Sequence, residues 1–296
     1  MSAAAPALPA VAAPERVRSS RVRRRLLWWS AVLAAFAVIA IVGPVAVPYD
    51  PITVRLGDRL LPPGAHVSDG SRAWLGTDQV GKDLVAQVLQ GARISLVVGV
   101  STVVVAGLFG LAVGVVGGYR GGAFDTIMMR LADLQLAFPS ILLAILIAAV
   151  LGRSVANVII TLSVTRWVVF ARVARASSLV TREREFVTAA LATGAGTLRL
   201  IGRHIMPFAL TPLIVIATVD LGLVMLAEAS LSFLGLGTTP AHPSWGLIIA
   251  TGRDYLTTAW WISTIPGLAL SLVVLAVGQF GDAVRDALDP RSVTGT

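Results

Sequence analysis

The sequence predicts an all-α polytopic membrane protein of six transmembrane helices, and three observations carry that reading. Of 296 residues, 56% are hydrophobic and only 14% charged, and a mean hydropathy of +0.82 lies far above that of a soluble domain. Apolar runs long enough to cross a bilayer recur along the chain, bounded by Gly, Pro or charged residues. Arginines crowd beside some of these runs and not others, the charge asymmetry that orients membrane proteins.

Residues 1–27 are rich in Ala, Pro and Arg and read as a disordered basic tail. Trp28 to Val47 is longer than the apolar core of a signal peptide, so it reads as an uncleaved first span. Residues 48–93 are polar and rich in Pro and Gly, with charges nearly balanced, the composition of an external loop. Residues 94–280 form the core of five further spans. Ile94–Val116 is rich in Gly, Val and Ala, which permits close helix packing in lipid. Met128–Leu151 follows, interrupted by Pro139, then Val155–Val173, Phe208–Leu231, and a span opened by Trp260 and Trp261 that ends near Phe280.

A second external loop is expected over Phe233–Thr258, and a polar tail over 281–296. Six spans put both termini on one side, together with the Arg-rich tail and an Arg-rich loop over 176–207. The positive-inside bias makes that side the cytoplasm.

Within that loop Thr181 is positioned to cap a helix with Glu183 and Glu185 in its first turn. Phe186, Ala189, Ala190 and Thr193 then share one face, with Phe186 as an anchor for a partner's groove. Gly194 is a left-handed stop, and Thr197 caps a second helix with Leu198, Ile201, Gly202 and Ile205 on its apolar face. By pattern alone this is either a docking element or an interfacial loop on anionic lipid.

The same residues resemble a known family. Ala189, Ala190, Gly194 and Pro207 match the spacing of the cytoplasmic loop motif of binding-protein-dependent ABC transporter permeases, with Thr188, His204 and Met206 departing from it. Leu75–Asp83, Gly117–Gly122, Glu228–Gly237, Pro243–Gly246 and Gly281–Pro290 are similar to the C-type subunit of dipeptide and oligopeptide permeases. The resemblance implies the type I importer permease fold in a bacterial inner membrane. It also implies pairing with a B-type permease, two ATPase subunits or domains, an external binding protein and a peptide cargo.

In that family the loop is a coupling helix, here Glu185 to Gly194, with ATP and Mg held by the ATPases and no cofactor on this chain. Nickel chelates or glutathione are alternative cargoes in such permeases.

Other features carry less. Gly76–Lys82 fits a phosphate-loop pattern, but Asp83 stands where Ser or Thr should hold magnesium, so no nucleotide site is expected. Asp220 and Glu228, eight residues apart on one face of a span, are candidates for the translocation pathway, or pair with Arg166. For Glu228 a structural hydrogen-bonding role is favoured. Arg172 and Arg175 read as headgroup anchors, and Trp28, Trp29, Trp260 and Trp261 as interface residues.

The net charge of +8 belongs to the membrane asymmetry, so no nucleic-acid partner is expected. The absence of Cys and the scatter of His66, His204 and His242 exclude thiolate chemistry and give no metal-ligand spacing. A proton-coupled secondary transporter using Asp220 and Glu228 is the alternative from another class, but no inverted repeat supports it. A hydrolase would need a nucleophile with a partner inside the spans, and ATP hydrolysis is expected on separate chains.

Overall fold

The computed structural model describes residues 15–288, with side chains described from Arg23 onward. The first helix, α1 (Glu15–Ala46), corrects the expectation of a disordered tail up to residue 27, because Arg and Leu are good helix formers and no Pro interrupts them before Pro44. Residues 1–14 of that tail, and 289–296 of the C-terminal one, lie outside the described residues.

A loop with a short hairpin, β1 (Ala65–His66) and β2 (Arg72–Ala73), leads to α2 (Leu84–Arg120). That helix starts ten residues before the expected Ile94, because Asp83 accepts a hydrogen bond from the Val85 N–H at 2.7 Å and caps it. It continues through the expected Gly-rich turn and stops only at Gly121, where φ turns positive.

Helices α3 (Gly122–Leu136) and α4 (Ser140–Leu151) replace the expected third span. They meet at 94°, so Pro139 marks a break and not a kink: it cannot continue α3 and instead starts α4. The remaining helices are α5 (Val155–Arg182), α6 (Glu185–Ala192), α7 (Thr197–Leu200), α8 (Met206–Phe233), α9 (Trp245–Gly252) and α10 (Trp261–Leu288). A single π-helical turn, Ile201–Ile205, joins α7 to α8.

The packing of α2 on α5 fixes the topology. A Cβ on Gly110 would meet Trp167 and Phe170, one on Gly114 would meet Ala171 and Ala174, and one on Gly118 would meet Arg175 and Ser178. The contacts advance together, so the two helices are parallel, and the chain between them must return from one end of the bundle to the other. The bent pair does so. Asp125, early in α3, pairs with Arg175 near the end of α5, while Arg153, just past α4, donates to the Thr238 carbonyl beyond the far end of α8. Among the described residues five helices are long and apolar enough to cross a membrane, and the bent pair makes the sixth crossing.

Successive crossings then alternate. Arg166 and Ser177 of α5 meet Asp220 and Phe208 of α8, and Gly222 and Thr218 of α8 face Val274 and Gly281 of α10. Residue 288 thus lies at the same end of the bundle as α6 and α7, here termed the loop end. Gly43 packs on Leu89 at the opposite end, so α1 also begins toward the loop end.

The expected second external loop is largely packed. Its helix α9 buries Trp245, Leu247 and Ile248 between α2, α8 and α10, and Trp245 donates its indole N–H to the Val88 carbonyl at 2.9 Å. Trp261 is a further correction: it is buried, and its indole N–H reaches the Thr77 carbonyl at 3.1 Å, so it pins the 48–83 loop. Trp28 and Trp260 stay exposed, as interface residues do.

Candidate functional site

At the loop end, α5 runs on to Arg182, nine residues beyond the expected limit of its span. Thr181 is therefore buried inside α5 and not a cap. Helix α6 starts after Arg184 without a side-chain cap, leaving Glu183 at the C-cap of α5 and Glu185 in the first turn of α6. Arg182 bends back instead, donating to the Gly118 carbonyl at 3.1 Å. The projecting helix is thus rooted on α2 as well as on α5.

Of the proposed coupling residues, Glu185, Thr188 and Ala189 are exposed, while Ala190 is half-buried. Val187, which the sequence did not single out, is fully buried and anchors α6. Phe186 is not a free anchor: its ring stacks on Phe208 at 5.4 Å between centroids and lies 6.2 Å from His204. The Arg184 guanidinium sits 5.4 Å from the centre of the same Phe208 ring. Gly194 has φ of +80°, and Ala195 donates to the Ala190 carbonyl across it, so the left-handed stop is as expected.

The second helix differs. It is one turn capped by the Gly196 backbone, Thr197 being its first residue. Leu198, expected on the apolar face, is 84% exposed, while Leu200 and Ile205 are buried. The π turn accounts for the shift, since it rotates the face by an extra residue before Pro207 enters α8. A helical wheel drawn with 3.6 residues per turn through residues 198–205 cannot detect it.

Midway along the bundle, Arg166 Nη1 donates to Asp220 Oδ1 at 3.2 Å. Both residues line an open cavity of about 620 Å³ between α5, α8 and α10. Glu228, the other pathway candidate, does not line this cavity. It is fully buried and accepts hydrogen bonds from Ser232 Oγ at 2.6 Å and Ser95 Oγ at 3.4 Å. Ser244 and Thr238 extend this network, tying α8 to α2 and to the start of α9. It is the favoured structural role of the carboxylate, as buried polar groups require partners.

Arg172 and Arg175 are also corrected. Arg175 makes a two-pronged pair with Asp125, Nε to Oδ1 at 2.5 Å and Nη2 to Oδ2 at 2.6 Å, and Arg172 pairs with Asp133 at 2.6 Å. They fasten α3 along α5, a function that needs the opposing helix to be known.

In the Gly76–Lys82 segment, the amides of Val80 and Lys82, which a phosphate loop would offer to its ligand, donate to the Asp78 carboxylate at 2.9 and 2.8 Å. A Cβ on Gly81 would strike the Arg55 carbonyl. Lys82 itself donates to the Pro51 carbonyl at 2.7 Å and lies over the Tyr49 ring. The glycines serve a tight turn. Burial and the nearby carboxylates of Asp78 and Asp50 push the Tyr49 phenol up to about 12.

Six crossings, with a projecting two-helix loop inserted between two crossings that share a mid-bundle charge pair, define a polytopic membrane protein. The chain belongs to the family described as the binding-protein-dependent transport system inner membrane component, whose sequence profile matches residues 106–293. It is 41% identical over 253 residues to the di/tripeptide transport system permease protein DppC of Pseudomonas aeruginosa, covering 85% of this chain and 83% of that one. A putative peptide transport system permease protein of Brucella suis is 44% identical, covering 91% and 89%. The nickel transport system permease protein NikC of Escherichia coli is 38% identical, covering 89% and 93%. The resemblance read from the central loop thus identifies the right family.

Proposed function

We propose that this chain is the C-type permease subunit of an ATP-driven importer of short peptides. It forms half of a translocation pathway with a B-type permease and receives peptide from an external binding protein. The observation that carries this reading is α6, an exposed eight-residue helix held out from the bundle by α5 and braced on α8. Such a helix transmits a partner's displacement only if it is rigidly seated, and the buried Val187 and the Phe186–Phe208 stack seat it. Glu185, Thr188, Ala189, Ala190, Gly194 and Pro207 make up the seat and face for the ATPase, which binds ATP and Mg.

The loop end is then cytoplasmic, and both termini with it, in a bacterial inner membrane; the 48–83 loop faces outward. Chemistry resides in the ATPase chains, and no cofactor is assigned to this one. Peptide cargo rests on the names of the relatives, and the similarity to NikC makes a nickel chelate the second reading. The test is uptake by proteoliposomes holding both permeases and the ATPases, with the binding protein outside. Labelled dipeptide should accumulate only with ATP inside; uptake that persists without the ATPases overturns the importer assignment, and uptake of nickel but not peptide overturns the cargo.

A further inference from the structure

The mid-bundle cavity has an unusual polar wall. Asp220 is 5% exposed at its side chain; one carboxylate oxygen accepts from Arg166, and the other, Oδ2, is buried without a hydrogen-bond partner among the described residues. Burying an incompletely paired carboxylate costs free energy that a further hydrogen-bond donor to it would offset. Arg166 engages Asp220 through Nη1 alone and is 21% exposed at its side chain, so its fork has donors to spare. The remaining walls near the pair are apolar, formed by Val169 from α5 and Val215, Val219 and Leu223 from α8. Asp282 and Arg285 of α10 line the same space.

We propose that this cavity is a cargo subsite inside the membrane, built for the zwitterionic backbone of a small peptide. The proposal rests on the peptide-importer reading above. A bare cation at Asp220 would meet the charge of Arg166, and a bare anion at Arg166 would meet that of Asp220. A molecule carrying an ammonium group and a carbonyl or carboxylate a few bonds apart satisfies both. The ammonium donates to the Asp220 carboxylate in the cavity wall, the acceptor oxygen receives an Arg166 N–H, and a side chain lies against Val219 and Leu223. About 620 Å³ is in the range of small-molecule sites and accommodates a di- or tripeptide.

The pair joins α5 and α8, the two helices that bracket the projecting loop. Occupancy therefore falls where a displacement of that loop would change the spacing of the two charges.

The test uses the assembled complex of both permeases and the ATPases, without the binding protein, and a dipeptide bearing a photoreactive diazirine in its side chain. Mass spectrometry should place the label on Val169, Val219 or Leu223. An excess of Ala-Ala should compete it away, and N-acetyl-Ala-Ala, lacking the ammonium, should not. Asp220→Asn should lower labelling about tenfold, the equivalent of one charge-assisted hydrogen bond. Leu223→Trp, which narrows the cavity beside the pair and leaves both charges in place, should also lower it, so the proposal does not hang on the folding of one variant. Label found only elsewhere, or unchanged by both substitutions, overturns the subsite. Failure of the complete wild-type importer to take up any peptide overturns the cargo reading separately.

Discussion

Phe186 of α6 stacks on Phe208 of α8, with ring centroids 5.4 Å apart and 27° between their planes. The helix assigned to the ATPase is therefore braced against the first turns of a membrane-crossing helix, three residues past the end of the π turn. A push on α6 reaches α8 through packed rings and not only through the connecting chain.

Removing that brace should weaken coupling before it weakens folding. An aromatic pair contributes about 1 kcal/mol beyond its buried area, so Phe186→Ala should shift the seated fraction of α6 about fivefold toward the loose form. Peptide imported per ATP hydrolysed should fall by a similar factor, while Phe186→Tyr retains most of it. A ratio unchanged in the Ala variant would show that the stack plays no part in transmission.

Gly194 tests the turn behind the helix. With φ at +80° and nothing within 4 Å of where a Cβ would stand, a substitution there meets strain and no clash. Gly194→Val should cost about 1–3 kcal/mol of local stability and uncouple hydrolysis from import, with normal amounts of protein in the membrane. Gly194→Asn, which tolerates the left-handed region, should stay close to wild type; both are read from the transport-to-ATPase ratio.

The α2–α5 seam offers an internal control. A Cβ on Gly114 would sit 2.3 Å from the Ala171 carbonyl oxygen, whereas one on Gly107 would rest 3.7 Å from the Phe170 ring. Gly114→Ala should destabilise the bundle by about 1–3 kcal/mol through overpacking, and Gly107→Ala should not. Thermal unfolding of the purified complex in detergent separates them.

Glu228 should matter for stability and not for cargo. Glu228→Gln keeps an acceptor for Ser232 and offers its amide N–H to Ser95 Oγ, and should unfold within a few degrees of wild type. Glu228→Ala strands those hydroxyls and opens a void, at a cost of about 2–4 kcal/mol. A change in peptide preference without a change in unfolding temperature would return this carboxylate to the pathway.

The β1–β2 hairpin should loosen in acid. Hydrogen bonds from Ser71 and the ion pair with Arg55 lower the Asp69 carboxyl from 3.8 to about 2. A depressed folded value stabilises the loop fully above the unfolded value and loses that contribution as pH falls through the folded one. Exchange of the Ser71 amide, which donates to Asp69 Oδ1 at 2.9 Å, should therefore accelerate, relative to the intrinsic rate, only between about pH 4 and pH 2. Asp69→Asn should abolish that step.

The family and the six crossings were legible in the sequence because hydropathy and charge asymmetry are local properties, set by transfer of each segment between water and lipid. The Gly194 stop was legible for the same reason: one residue supplies its own backbone conformation. The expected third span illustrates the limit, since Pro139 signals an interruption but says nothing of its angle. Only the parallel packing of α2 on α5 shows that the bent pair still crosses the bundle.

The charged residues divide the same way. Sequence placed Arg172, Arg175, Asp220 and Glu228 in or beside membrane segments, where a charge must find a partner. It could not say which. Asp125 lies 50 residues from Arg175, and Asp220 54 residues from Arg166, separations that only the packing of helices brings within hydrogen-bond range. Burial of each segment is decided residue by residue along the chain, whereas the pairing of its charges depends on which helices pack together and at what height, and tertiary structure alone decides that.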